Sequence, residues 1–110
     1  MDIVTKVEGA NIIAVISGEI DGKTAPTAQA KLLDALQVGA GLLVDMQEVS
    51  YLSSAGLRML LLLYRQVAAK KGRVVLVGVS DEIRDTMSMT GFIKFFTLAD
   101  SREAGLAALA

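Results

Sequence analysis

Two short apolar runs, Leu42-Leu43-Val44 and Val74 to Val79, flank a stretch whose apolar residues recur with helical spacing. From about Ser54 to Lys70, the residues Leu57, Leu60, Leu61, Tyr64, Val67 and Ala68 fall at i, i+3, i+4, i+7, i+10 and i+11, the period of an amphipathic helix. A strand that reads as an unbroken apolar run is covered on both faces, and two such strands joined through a helix lie parallel in one sheet. This order restricts the chain to an α/β architecture.

The flanking residues extend the same pattern. Ile3, Thr5 and Val7 alternate with more polar neighbours, Gly9-Ala10-Asn11 makes a turn, and Ile12 to Ile16 is a β-rich run that Ser17-Gly18 ends, which predicts an opening hairpin. Pro26 suits the first turn of a helix, and Leu32, Leu33 and Leu36 line one face of it until Gly39 and Gly41. The strand at Leu42 ends at Asp45, and Gln47 to Leu52 reads as a loop. Ser80 caps a helix with Asp81 and Glu82 in its first turn, Ile83 and Met87 on its apolar face and Gly91 at its close. Phe95-Phe96 reads as a short edge strand, and Asp100 or Ser101 caps a last helix containing Leu106 and Leu109. The expected fold is a mixed, mostly parallel β-sheet with an N-terminal hairpin and about four helices packed on it. At 110 residues, against about 150 per domain, the chain forms one domain over residues 1–110.

Composition removes most chemistry. The chain has neither Cys nor His, so it holds no disulfide, thiolate nucleophile, Ser-His-Asp triad or zinc site of the usual N/S type. No cofactor is expected. With 11 basic and 12 acidic residues, and Lys70, Lys71 and Arg73 as the only basic cluster, it lacks the electrostatic footprint of a nucleic-acid binder. The apolar run Met59 to Tyr64, bounded by Arg58 and Arg65, is too short to cross a bilayer, and Met1 to Glu8 lacks a signal peptide's apolar centre. These features predict a cytoplasmic protein without membrane contact.

In parallel sheets the functional residues gather in loops at the carboxyl ends of the strands. Two such loops stand out, Gly18-Glu19-Ile20-Asp21 and the segment from Asp45 to Ser53-Ser54-Ala55-Gly56. One serine at a helix start is explained by capping, which is worth about 1 kcal/mol. The second serine, the small Ala55 and Gly56 that leave the backbone approachable, and an acidic loop at Asp21 are not. A helix N-terminus has free N–H groups and partial positive charge, so a phosphate on Ser54 is accommodated there without unfolding. It would add about −1.5 to −2 charges at the helix start, and Arg58, one turn away, is either its pairing cation or a solvated side chain. Asp45 is expected to cap its loop, and Met46 and Met87 to fill the core.

These residues resemble a known family. Leu43-Val44-Asp45, then Val49-Ser50-Tyr51-Leu52-Ser53-Ser54-Ala55-Gly56-Leu57, looks like the hallmark of a STAS domain of the bacterial anti-sigma factor antagonist type. In that family a strand ends in Asp and Asp-Ser-Ser/Thr-Gly-Leu opens a helix. Gly18-Glu19-Ile20-Asp21 is similar to its loop before the first helix, and Met89-Thr90-Gly91-Phe92 with Phe95-Phe96 to its ending. The resemblance implies a protein partner that is both serine kinase and anti-sigma factor, bound while Ser54 is unphosphorylated, and a serine phosphatase that resets the switch. Sigma factor is then released indirectly. The resemblance also implies that Asp21 sits beside the acceptor. Ser53 stands where the family has Asp, and Ala55 where it has Ser or Thr, which makes Ser53 a rival acceptor.

On the helical wheel the core stripe leaves Met59 and Leu62, with Leu63 at its margin, near the opposite side. They either lie under another helix or form an apolar patch whose rim is Ser54. The partner-binding set is Asp21, Ser53, Ser54, Gly56, Arg58, Met59 and Leu62. The alternative is a small α/β nucleotide-binding or receiver-type domain. The first lacks Gly-x-Gly-x-x-Gly and Gly-Lys-Ser/Thr, and the second has only Asp21 and Asp45 as its acidic cluster.

Overall fold

The computed structural model describes all residues from Met1 to Ala110. Its elements run β1 (Asp2–Glu8), β2 (Asn11–Ile20), α1 (Ala25–Ala35), β3 (Gly41–Leu52), α2 (Ser54–Ala69), β4 (Arg73–Val77), α3 (Asp81–Met89), a 3-10 turn (Phe92–Phe95), β5 (Thr97–Ala99) and α4 (Arg102–Leu109). The five strands form one sheet in the order β1-β2-β3-β4-β5, antiparallel between β1 and β2 and parallel thereafter. Because each strand is laid beside its predecessor in one direction, crossovers of a single hand put α1, α2 and α3 on the same face. α4 follows the last strand, is bound by no such rule, and covers the other face.

That arrangement divides the core in two. The helix-rich face buries 25 residues, including Ile16, Leu32, Leu42, Leu60, Leu63, Leu76 and Met87. The opposite face buries Ile13, Leu43, Val75 and Val77 beneath Leu106 and Leu109 of α4. α4 sits close because Gly105 has no side chain, and a Cβ there would meet Val77 Cγ2 at 2.7 Å and Leu43 Cδ1 at 2.9 Å. Asp45, at the fifth of twelve positions in β3, accepts from Arg102 at 3.1 Å and from the Gln47 N–H at 3.0 Å, tying the sheet to the start of α4. Met46 and Met87 are both core side chains, as expected.

Three elements depart from the sequence reading. β2 does not end at Ser17-Gly18, and Gln47–Leu52 is not a loop: the two segments pair as far as Ile20 and Leu52. Between the pairs Val15–Asp45 and Ile20–Leu52, β2 advances five residues and β3 advances seven (20 − 15 and 52 − 45), with register shifts after Val15 and Gly18. The two extra residues are bulges on β3, and they turn its alternation into burial at Met46, Val49 and Leu52, a spacing of three that matches neither strand nor helix. Phe95-Phe96 is not a strand. Phe92–Phe95 forms the 3-10 turn, with Gly91 at φ +77 leading into it, and the edge strand is Thr97–Ala99. Ser101, not Asp100, caps α4 by accepting from the Ala104 N–H at 3.1 Å.

The buried face of α2 is also wider than its periodicity implies. Gly56, Leu57, Met59, Leu60, Leu63 and Val67 are buried, whereas Leu61 is half-buried and Ala68 exposed. The helix lies on the sheet and is flanked by α1, so two sides of it are covered. Met59 is consequently only 2% exposed and Leu63 1%, so neither belongs to a surface patch; Leu62, at 42%, is the apolar residue of that side that reaches solvent.

Candidate functional site at the start of the long helix

The site is built where β2 and β3 finish side by side. Past the last ladder pair, the Ser53 N–H donates to the Ile20 carbonyl at 2.9 Å, so the loop entering α1 and the first turn of α2 share one rim. Gly56 makes this possible. A Cβ at that position would meet the Ile20 carbonyl oxygen at 3.0 Å and Ile20 Cγ2 at 3.1 Å. Gly56 is buried, and its backbone is approached by this chain's own β2 and β3, through Ile20 and Leu52.

The two serines have different positions. Ser53 is the N-cap of α2, with φ −80 and ψ 174, and its Oγ accepts from the Gly56 N–H at 3.2 Å. Ser54 is the first helical residue and is exposed. The N–H groups of Ser54 and Ala55 lie in the first turn, where no intrahelical carbonyl reaches them. No acidic side chain occupies that turn, so the positive end of the helix dipole is uncompensated within α2 itself.

Asp21 contributes the negative side of the rim. Its Oδ1 accepts from the backbone N–H groups of Lys23 at 2.9 Å and Thr24 at 3.0 Å, and its own N–H donates to Thr24 Oγ1 at 2.9 Å. Thr24 Oγ1 donates in turn to the Glu19 carbonyl at 2.9 Å. The Thr24 N–H, and after it the Lys23 N–H, hold the Asp21 carboxyl below its ordinary pKa, so it stays ionised at neutral pH. Asp21 therefore organises the start of α1 as well as charging the rim.

Arg58 is exposed one turn beyond Ser54. With Leu62 it lines a shallow groove of about 220 Å³ against Gly22, Pro26 and Gln29 of the α1 side, with Met59 as its floor. Across the rim, Tyr51 is 53% exposed and borders a second depression of about 130 Å³ with Ser80, Glu82 and Thr86 of α3. Tyr51 escaped the sequence reading because the bulged end of β3 has no clean period. The available signal was an aromatic residue two positions before the capping serine. Asp45 is not at this rim: it points to the α4 face and is paired with Arg102, so Asp21 and Asp45 do not form the acidic cluster a receiver-type domain needs.

Comparison with known proteins shows the family and the fold. The STAS domain family model matches residues 2–105. The chain belongs to the STAS domain family. Among relatives of this STAS domain, BtrV of Bordetella bronchiseptica, assigned as an anti-sigma factor antagonist, is 35% identical over 106 residues, 94% of this chain and 89% of its own. The crystal structure of an anti-sigma factor antagonist from Mycobacterium paratuberculosis superposes with a TM-score of 0.87 at 25% identity, covering 98% of this chain and 92% of that one. The phosphorylated form of the Bacillus cell fate determinant SpoIIAA shares the fold, with a TM-score of 0.73 at 22% identity over 97% of this chain and 99% of that one. No helix of the STAS domain is long and apolar enough to cross a membrane.

Proposed function

We propose that this protein is an anti-sigma factor antagonist: a non-enzymatic domain, spanning residues 1–110, that works in the cytoplasm. It binds a serine kinase/anti-sigma factor while Ser54 is unmodified and so frees a sigma factor. The observation that carries the reading is the division of labour between the serines, with Ser53 capping α2 and Ser54 exposed at the rim. The relatives named as antagonists support the partner class.

In the switching step the Ser54 Oγ attacks the γ-phosphorus of ATP held by the partner. The bond from that phosphorus to the bridging oxygen breaks, ADP leaves, and the hydroxyl proton passes to a base on the kinase. The phosphate then lies over the first turn of α2, where the dipole stabilises an anion by about 0.3–1 kcal/mol. It adds about −1.5 to −2 charges to a rim that already holds the Asp21 carboxylate. A partner seated on Leu62 and the groove floor meets this charge at close range and dissociates, whereas the fold, which uses Ser53 and not Ser54 as its cap, stays in place. Hydrolysis by a serine phosphatase restores the binding form.

The test is co-expression with serine kinases of the histidine-kinase-like type from the same genome, followed by mass-spectrometric mapping of phosphate on the wild type, Ser53→Ala and Ser54→Ala. The expected result is modification of wild type and Ser53→Ala, and none of Ser54→Ala. Phosphate retained in Ser54→Ala but lost in Ser53→Ala would move the acceptor to Ser53. No modification and no complex with any kinase would overturn the switch.

A further inference from the structure

The largest cavity lies at the other end of α2. Its lining residue Ala68 is 14 positions from Ser54, about 20 Å along the helix axis. The C-terminal turns of α2 and α4 and the first residues of β4 and β5 enclose about 370 Å³, within the usual range of small-molecule sites of about 300–1,000 Å³. Its walls combine polar surface with apolar side chains: Tyr64 and Val67 on one side, Phe95 and Leu109 on the others, with the Tyr64 ring 6.0 Å from that of Phe95.

The charge around this cavity is one-sided. Arg73 lines it and also lines an adjoining depression of about 170 Å³ that Lys71 and Asn11 complete. No carboxylate lines either, although acids outnumber bases in the chain as a whole. The molecule's two ion pairs are Arg84–Asp100 and Arg102–Asp45, so neither Lys71 nor Arg73 is neutralised. Lys71 is explained by the end of α2, whose carbonyls favour a nearby cation. Arg73 opens β4 and lies beside the last turn of α4, which lines the same cavity.

We propose that this cavity binds a small amphipathic anion, a carboxylate carried on an apolar chain, with the chain between Tyr64, Val67, Phe95 and Leu109 and the carboxylate on Arg73 and Lys71. A planar guanidinium suits a carboxylate because it can donate two parallel hydrogen bonds. The cations at the mouth favour an anion, and Tyr64, Val67, Phe95 and Leu109 offer contact to an apolar body.

The test is a ¹H–¹⁵N chemical-shift titration of the full chain at neutral pH with decanoate and, separately, with decanol. Saturable shifts at Gly72, Arg73 and Thr97 are expected with decanoate, at least about ten-fold tighter than decanol. Arg73→Gln brings decanoate down to decanol's affinity, and Ala68→Trp, which fills the cavity from an exposed position, abolishes both. Spectra away from the cavity report whether each variant is folded, and the arginine comparison stands if the tryptophan variant is not. Absent or non-saturating shifts, shifts centred elsewhere, equal affinity for decanol, or an indifferent Arg73→Gln would each overturn the proposal.

Discussion

The Ser53 N–H and the Ile20 carbonyl meet at 2.9 Å, and this one hydrogen bond welds the first turn of α2 to the loop that carries Asp21. Two segments separated by more than thirty residues thereby share a rim. Gly56→Ala tests the weld, since its Cβ would press on the same Ile20 carbonyl, a backbone atom that cannot swing aside. Overpacking of this kind costs about 1–3 kcal/mol, and urea denaturation of the variant should show a loss in that range. Replacing Gly by Ala in a helix by itself gains about 1 kcal/mol, so a raised midpoint would mean that the close approach is absent in solution.

The serines should separate by stability alone. Ser53→Ala removes the cap on the Gly56 N–H and should cost about 1 kcal/mol, while Ser54→Ala, at an exposed position, should change stability by less than about 0.5 kcal/mol. Ser53→Asp should recover most of the loss, because a carboxylate caps as well as a hydroxyl. Denaturation curves of the three variants decide it.

Asp21 gives the fold an acid-sensitive contribution. Its pKa is lowered in the folded state by the N–H groups of Thr24 and Lys23, so its stabilisation is fully present above the ordinary value near 3.8 and is lost as pH falls through the lower, folded value. Wild-type stability should therefore decline with pH below about 4, and Asp21→Asn should be less stable at neutral pH with a shallower decline. Urea midpoints across an acid series, with the Asp21 carboxyl followed by NMR, check both the direction and the assignment.

Asp45 is 7% exposed and relies on Arg102 for its charge partner. Arg102→Ala leaves that carboxylate with only the Gln47 N–H, and should cost about 1–3 kcal/mol. Because the pair holds α4, hydrogen exchange should accelerate first in Arg102–Leu109, then in the strands beneath. The double variant Asp45→Asn with Arg102→Leu should lose less than Arg102→Ala alone, since no buried charge is left unpaired.

The layered fold was legible because strands such as Leu42-Leu43-Val44 and the helix from Ser54 keep their periods. The end of β3 was not, because its two bulges erase alternation between Met46 and Leu52. Met59 needs the tertiary structure for a different reason: a helical wheel leaves it either under another helix or exposed, and the second buried face of α2, supplied by α1, decides for burial. The capping role of Ser53 could be anticipated from its place before the apolar run, whereas the pairing of Asp45 with Arg102 spans 57 positions and leaves no local trace. Tyr51 at the rim likewise becomes visible only when the strand's true path is known.

The central claim is that an anion on Ser54 changes which protein binds and leaves the fold alone. Its most direct test is calorimetric titration of one kinase partner with unmodified protein and with protein stoichiometrically phosphorylated at Ser54, alongside the amide spectrum of each form. Affinity at least about ten-fold weaker for the phosphorylated form, with shifts confined to Ile20–Thr24 and Ser53–Arg58, is the predicted result. Equal affinity of the two forms, or spectral change spread through the sheet, would contradict it.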